Sequence, residues 1–380
     1  GDGSSTFNLP NLVAAGSGSP VSIIKASLGG TVEPSTVAHA ASHTQGGSDV
    51  VSVTLNQVPS FQTYRNRIIN GSFDLWQRGT SFTPTTTNYS ADRWQNQFDG
   101  TGATRTISQQ IFVPSTIAGY EPTYYARFAQ SVAGSAGTYN LFCQPIENVR
   151  TFAGQTVTVS FWAKADAARN VTLKYSQLFG AGGSTAIYDT ALGTSNTVSL
   201  TTSWQRYSVT GTINSISGKT VSSGTDSILR IDFNMPLNST FTIDLWGVQI
   251  EAGSVATPFE VEPLETTLRK CQRYFVKSYN NDVTPGTITS AGEIRYVAAT
   301  TAGEAAPVVH YKVEMRGTPS AYTFYNPVTG TSGQRRNYSS STNEASTGPN
   351  IGGANSHAGN NAGHTTGSLY GYHFTVTAEF

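Results

Sequence analysis

The chain has 380 residues, only 12% of them charged, and its 23 basic and 23 acidic side chains give a formal net charge of zero. This balance provides no general attraction to nucleic acid or to an anionic membrane surface. No apolar run reaches the roughly 18 residues of a membrane-spanning helix, so membrane insertion is not expected. The two cysteines, Cys143 and Cys271, fall in different predicted modules, which predicts buried free thiols and no disulfide framework.

Residues 1–12 read GDGSSTFNLPNL, a string of turn-forming and polar residues that contains the apolar side chains of Phe7, Leu9 and Leu12. The string resembles the GDG-x-x-T-F-x-LP-[DN]-L signature of phage tail-collar domains; the alternative is a disordered terminus. The resemblance implies a collar-like remnant and linker over residues 1–25, and attachment of this end to other phage tail or baseplate proteins. Because there is no initiator methionine, the chain is expected to be a piece of a longer protein.

Residues 26–65 contain few large apolar side chains, and a single copy cannot bury enough area to order them. The segment is therefore either a flexible linker or ordered by association with identical copies. Its His-x-x-x-His…GGSD pattern resembles segments beside the stalks of phage fibre proteins, which implies an extended trimeric neck and a homotrimer. His39 and His43 have a spacing that on a helix allows one metal ion. Histidines at an exposed turn are the favoured interpretation, so no cofactor is predicted.

Residues 66–262 contain six or more short segments in which apolar and polar residues alternate, as in the ranges 155–164 and 229–235. Such segments, separated by turn residues, predict a two-sheet β-sandwich. The order of the strings NG-x-F, GQTVTVSFWAKA and IDLWGVQIEAG-x-x-x-TPFE resembles the jelly-roll, carbohydrate-binding-module-like domains of phage tail fibres. The resemblance implies the fold and leaves the ligand open.

Sugar binding requires aromatic faces for pyranose rings and polar groups for hydroxyls. On the polar faces of two of these strands, five residues are candidates for a glycan-binding groove: Trp162, Lys164, Arg230, Asp232 and Asn234. They share one groove only if the two strands lie in one sheet. Core packing or a trimer contact produces the same pattern at Trp162. The other tryptophans (Trp76, Trp94, Trp204 and Trp246) are predicted to be mostly structural, because most have apolar neighbours.

Residues 263–281 carry nearly the only helix signal. Leu264, Leu268, Cys271 and Phe275 form one stripe at a 3.6-residue period, and Pro263 suits a first helical turn. The sequence predicts one short connecting helix here. The string LRKCQRYF after a TPFE turn also resembles the connector that ends these jelly rolls in tail-fibre proteins.

Residues 282–380 are predicted to form a C-terminal distal β domain whose last strand lies within 370–380. A Gly/Ser/Asn/Thr-rich stretch at 326–368 is predicted to be a long loop at the tip. Arg335, Arg336 and Tyr338 cluster there and are the candidate receptor-binding residues, suited to an acidic polysaccharide or a lipopolysaccharide phosphate. His357 and His364, in the same stretch, are interpreted as exposed loop histidines, and a metal on a trimer axis is the alternative. The tip is favoured over the jelly-roll groove as the receptor contact.

The sequence contains no nucleophile elbow, H-E-x-x-H pair, Walker loop or zinc-spaced Cys/His group, and its acidic residues are scattered. We therefore predict no enzymatic activity, although distant carboxylates that converge would allow a depolymerase. The leading hypothesis is a mostly β, homotrimeric phage tail fibre or receptor-binding protein of the virion. Assembled in the host cytoplasm, it would attach the particle to a bacterial surface glycan such as lipopolysaccharide. The alternatives are carbohydrate-binding modules of a secreted bacterial glycanase and a structural tail connector.

Overall fold

The computed structural model describes residues 64–301, 306–346, 348–349, 351–358 and 363–380, which belong to one compact unit. The predicted collar-like remnant, the predicted neck up to residue 63 and the histidines His39 and His43 lie outside the described residues. The helix found in the described part of the chain has nine residues, and none there is long and apolar enough to cross a membrane.

Antiparallel strands build a jelly-roll module from residues 81–252. They are β1 (Ser81–Phe82), β2 (Asn88–Tyr89), β3 (Gln95–Phe98), β4 (Thr104–Ile111), β5 (Tyr124–Val132), β6 (Asn140–Glu147), β7 (Thr156–Ala165), β8 (Arg169–Leu178), β9 (Ile187–Ala191), β10 (Thr197–Leu200), β11 (Gln205–Thr212), β12 (Ile228–Asn234) and β13 (Phe241–Ala252). The first sheet has the order β1-β4-β5-β13-β7-β11. The second sheet has the order β10-β8-β12-β6-β3-β2, with β9 paired to β8.

The inner faces of the two sheets form a single aromatic-rich core. Trp94 stacks on Phe142 with ring centroids 4.8 Å apart and also lies against Phe73. Phe161 of β7 meets Phe233 of β12 edge-on across the sandwich. Because side chains alternate along a strand, the apolar residues seen in the sequence of β7 and β12 point to this core. The predicted mostly β fold with a jelly-roll sandwich is confirmed.

A short helix, α1 (Leu264–Gln272), follows the jelly roll. Its buried face is Thr267 and Cys271, and Leu264 is 56% exposed. Phe275 is not helical, because it opens a strand that pairs with Thr377 near the C-terminus. The predicted helix is therefore present but shorter than its apolar stripe. Cys143 and Cys271 are both buried free thiols, as predicted.

The distal module consists of short strands around one long one. They are β14 (Phe275–Lys277), β15 (Ile294–Val297), β16 (Val308–His310), β17 (Ala321–Tyr325), β18 (Gln334–Asn337), β19 (Thr342–Ala345), β20 (Ile351–Gly352), β21 (Ser356–Ala358) and β22 (Leu369–Thr377). β22 pairs with β14, β15, β17 and β18, and β16-β21-β20 form a small separate sheet. Residues 370–376 of β22 are buried on both faces. The long loop predicted at 326–368 is wrong, since β18 to β21 lie within it.

A buried charge cluster fixes the C-terminal end of the distal module onto the jelly roll. The Glu379 carboxylate accepts hydrogen bonds from Arg93 and, at 2.9 Å, from Arg78. The Arg93 guanidinium is fully buried, lies 3.4 Å from the ring centroid of Tyr274 and donates to the carbonyl of Pro145 at 2.7 Å. Because burying an unpaired charge is expensive, this cluster couples the packing of the two modules.

Candidate functional site

The outer face of the second sheet carries an open depression of about 300 Å3. Leu229, Ile231 and Phe233 of β12 point into the core, so Arg230 and Asp232 point outward. The depression is lined by Gln97, Tyr139, Leu141, Tyr188, Asp189 and Arg230. These residues come from strands β3, β6, β9 and β12 or from the segments beside them. Two of them, Gln97 and Arg230, lie 133 positions apart in the chain.

Arg230 forms the floor of the depression and is held from below by the fully buried Asp232 in a bidentate ion pair. Arg230 Nε and Nη2 donate to the two carboxylate oxygens at 2.6 and 3.1 Å, and Nη1 donates to Gln97 Oε1 at 2.8 Å. Ser176 Oγ completes the network with a 2.9 Å hydrogen bond to Asp232. Burial favours loss of the guanidinium proton, but the adjacent carboxylate outweighs it and raises the pKa of Arg230 above its ordinary value. The floor is therefore a fixed polar surface whose two charges offset each other.

Aromatic rings and unpaired polar groups form the rim. Tyr139 is 36% exposed and Tyr188 is 59% exposed, so both rings are accessible to a partner. The exposed Asp189 carboxylate stands beside Tyr188 on β9. Rings, a carboxylate and a buried Arg–Asp floor around an open depression suit a ligand with apolar C–H faces and many hydroxyl groups.

Asn234, the third candidate on β12, lies on the same face but outside the lining. It is half-buried, two residues beyond Asp232, and opposite Leu141 and Thr172 of the neighbouring strands. Its amide nitrogen is buried and makes no hydrogen bond with the described residues. Of the three candidates on β12, the structure thus brings Arg230 into the depression, buries Asp232 beneath it as the partner of Arg230, and leaves Asn234 outside the lining.

Trp162 and Lys164 lie on the outer face of the first sheet, on the opposite side of the sandwich. The condition for one shared groove is not met, so the expectation that they join Arg230 is wrong. The ring centroid of Trp162 lies 5.2 Å from that of Trp246 and 5.3 Å from that of Tyr120. The Arg206 guanidinium carbon lies over the Trp162 ring, 4.8 Å from its centroid.

These rings belong to a second, smaller apolar cluster made of Phe112, Ile117, Tyr120, Tyr125, Trp162, Trp204, Trp246 and Phe259. Lys164 pairs with Asp244 at 3.6 Å beside it. Trp162 is thus packed among other aromatic rings, one of the three interpretations that its sequence pattern left open. Trp76, Trp94 and Trp246 are buried, as predicted, and Trp204 is partly buried in the same small cluster.

The residues predicted as a receptor-binding tip do not form a common exposed surface. Arg335 is fully buried. Its Nη2 donates a hydrogen bond to Glu344 Oε2 at 2.6 Å, and its Nη1 lies 2.7 Å from His364 Nε2. The carboxylate contact expected with a ligand anion is made within the protein instead, by Nε and Nη2 of Arg335 on a single oxygen of Glu344. Arg336, its half-buried neighbour, points to the other face of β18 and donates to Asn343 at 2.9 Å.

Tyr338, the third tip residue, donates its hydroxyl hydrogen to the Glu293 carboxylate at 2.7 Å and stacks under Arg295. His357 and His364 are both buried, so their interpretation as exposed loop histidines is wrong. In the described ranges there is no group of three or more His, Cys, Asp or Glu side chains placed to hold a metal ion.

No protein-family model and no curated protein matches this sequence. Solved structures resemble it over about half of the chain. The enzymatically active domain of tailspike protein 4 from bacteriophage CBA120 matches with 16% identity and a TM-score of 0.31, over 50% of this chain and 22% of its own. A family 4 carbohydrate-binding module matches with 21% identity and a TM-score of 0.28, over 48% of this chain and 98% of its own.

A family 11 carbohydrate-binding module of a cellulosomal cellulase from Clostridium thermocellum matches with 13% identity and a TM-score of 0.28, over 46% of this chain and 96% of its own. The chain spans about a fifth of the length of the tailspike and nearly all of each binding module. At TM-scores below 0.5, a shared function does not follow from these likenesses.

Proposed function

We propose that the jelly-roll module binds a bacterial surface glycan in the depression on its second sheet. The observation that carries the proposal is that Arg230, fixed by the buried Asp232, lines the same depression as the exposed rings of Tyr139 and Tyr188. The rings offer flat apolar faces to a pyranose, and the fixed guanidinium, the Gln97 amide and the Asp189 carboxylate provide hydrogen bonds to its hydroxyl groups.

The biological setting that we propose is a phage tail fibre or receptor-binding protein of the virion, assembled in the host cytoplasm. The collar-like string at residues 1–12 and the neck-like segment at 26–65 support this setting. The proposed mechanism is adhesion without bond cleavage. In a homotrimer, three weak sites on one rigid object raise the overall avidity well above that of one site.

Replacing Tyr188 with alanine is expected to weaken binding to isolated lipopolysaccharide or capsular polysaccharide by at least about fivefold, because an aromatic ring in contact with a ligand is worth about 1 kcal/mol or more. Isothermal titration calorimetry against a panel of such polysaccharides measures this. Tyr64→Ala, which removes another exposed ring far from β9, is the matched control and should leave binding unchanged. Equal binding by both variants would reject the depression as the glycan site.

If the protein is a homotrimer, light scattering of the purified chain at micromolar concentration is expected to give three times the mass of one chain. The physical reason is that residues 26–65 lack the apolar area to order as a single copy. A chain that begins at residue 64 provides the control and should lose the trimer if the neck supplies the association. A clean monomer for the full chain contradicts the prediction.

Carbohydrate-binding modules of a secreted glycanase are the second candidate function, since the same depression serves that role equally well. A catalytic domain in the same reading frame favours the glycanase, and neighbouring virion-baseplate genes favour the fibre. Binding of the purified chain to whole bacteria, lost after periodate oxidation of their sugars, supports adhesion in either setting. If the protein binds no glycan of the panel and is still incorporated normally into virions, a structural connector is supported instead.

A further inference from the structure

The distal module contains a second, larger cavity of about 670 Å3, well separated in sequence and fold from the depression on the jelly roll. It lies between the segment 276–282, which follows the start of β14, and the segment 309–312, which contains the end of β16. Nothing in the proposed glycan site uses these residues. Its volume is in the range of small-molecule binding sites, which span roughly 300–1,000 Å3.

The floor of this cavity is apolar. Val276, Tyr279 and Phe374 line it and are themselves nearly fully buried. Lys277 anchors the wall, because its ammonium group donates to the carbonyls of Gln77 at 2.8 Å and of Val283 at 2.6 Å. This lysine therefore holds the segment 276–283 in place and adds a fixed positive charge beside the cavity.

The walls carry polar groups that the protein itself does not use. In the described part of the chain, no hydrogen bond or ion pair is found for the side chains of Gln272, Asn280, Asn281, His310 and Lys312, all of which line the cavity. His310 and Lys312 are exposed and lie two residues apart in the same wall. Their hydrogen bonds go to water, which a ligand with matching acceptors can displace.

The charge around the cavity favours an anion. Lys277 and Lys312 contribute two positive charges, and Asp282 is the one acidic residue among those that line it. An apolar floor with free amides and a net positive wall suits a pyranose ring that bears a negative group. We infer that this cavity binds a saccharide carrying a carboxylate or a phosphate, as a second site distinct from the neutral-floored depression on the jelly roll.

The test uses the full chain and four probes: glucuronate, glucose 6-phosphate, glucose and inorganic phosphate. Ligand-observed NMR titration should show that at least one of the two charged sugars binds about tenfold or more tightly than glucose, and that its binding weakens as salt is added. The double variant His310→Ala/Lys312→Ala should lose this binding by at least about tenfold. Lys219→Ala, which removes an exposed lysine of the jelly roll, should change nothing.

Several results would overturn the inference. One is undiminished binding of both charged sugars by the double variant. If the double variant fails to fold, undiminished binding by Lys312→Gln has the same meaning. Another is inorganic phosphate binding as tightly as glucose 6-phosphate, with no preference for glucuronate over glucose, which would remove the saccharide from the claim. The third is loss of charged-sugar binding in Tyr188→Ala, since the anion would then occupy the jelly-roll depression. If Tyr188→Ala instead loses only polysaccharide binding, the two sites are independent.

Discussion

Replacing Glu379 with glutamine is expected to lower the free energy of unfolding by about 3–5 kcal/mol, the cost typical of removing one partner from a buried ion pair. The substitution preserves shape but leaves Arg93 fully buried without its carboxylate. The remaining contacts of Arg93, with the Pro145 carbonyl and the rings of Tyr274 and Phe380, do not neutralise its charge. Arg78 keeps Asp92 as a partner at 3.2 Å, so the loss is concentrated on Arg93.

Urea unfolding measures this effect as a lower midpoint, and a changed slope would show that the two modules no longer unfold together. Asp166→Asn is the matched control, since it breaks the exposed pair with Arg169 and should change stability by no more than about 1 kcal/mol. A loss of the same small size for Glu379→Gln would show that the cluster at the C-terminal end does not couple the modules.

Acidification from pH 7 to pH 4 is expected to destabilise the distal module through His357. Burial among aromatic rings lowers the pKa of this imidazole to about 4 from an ordinary value of 6.5. Its nearest ring neighbour, Phe374, has its centroid 4.6 Å away, and His357 Nδ1 is hydrogen-bonded to the Tyr311 hydroxyl at 3.1 Å. The neutral ring fits this site, and the charged ring does not.

The sign follows from which state takes up the proton. Between pH 6.5 and 4 the unfolded chain binds it and the folded chain does not, so the free energy of unfolding falls as the pH falls through this window. The gap between the two pKa values corresponds to about 3 kcal/mol at most, reached below pH 4. Above about pH 7.5 this contribution no longer changes.

Thermal unfolding of the wild type and of His357→Phe, followed from pH 7.5 to pH 4, isolates this group. The variant has no proton to bind there and should show a clearly smaller fall. It keeps some pH dependence, because burial also lowers the pKa of His373, which stacks on Tyr279 at 4.0 Å. Parallel curves for the two proteins would mean that the protonation of His357 is not coupled to folding.

The strands of the jelly roll could be predicted because their large apolar residues repeat every second position. β7 and β12 show this most clearly, and their inward residues are the ones that form the core. The strands β18 and β19, with the sequences QRRN and TNEA, contain no such signal. They form because Arg335 lies directly opposite Glu344, and because β22 supplies backbone hydrogen bonds to β18.

The candidate site was predictable only in part. That Arg230 and Asp232 share a face follows from their spacing of two residues. That Gln97, Tyr139 and Tyr188 join them does not, because these residues lie in other segments and meet β12 only through the pairing of the second sheet. No pattern in the sequence marks Tyr188, because its strand β9 has five residues, too few for a reliable alternation.

The sequence by itself determined which residues of each jelly-roll strand face together, the existence of the connecting helix and the free state of both cysteines. The tertiary structure decided which of these faces stay open. Trp162 and Arg335 both stand on polar strand faces, and yet one is packed into an aromatic cluster and the other is fully buried on Glu344. Alternation fixes the direction of a side chain relative to its own strand, whereas distant segments that pack against that strand determine whether the side chain meets solvent.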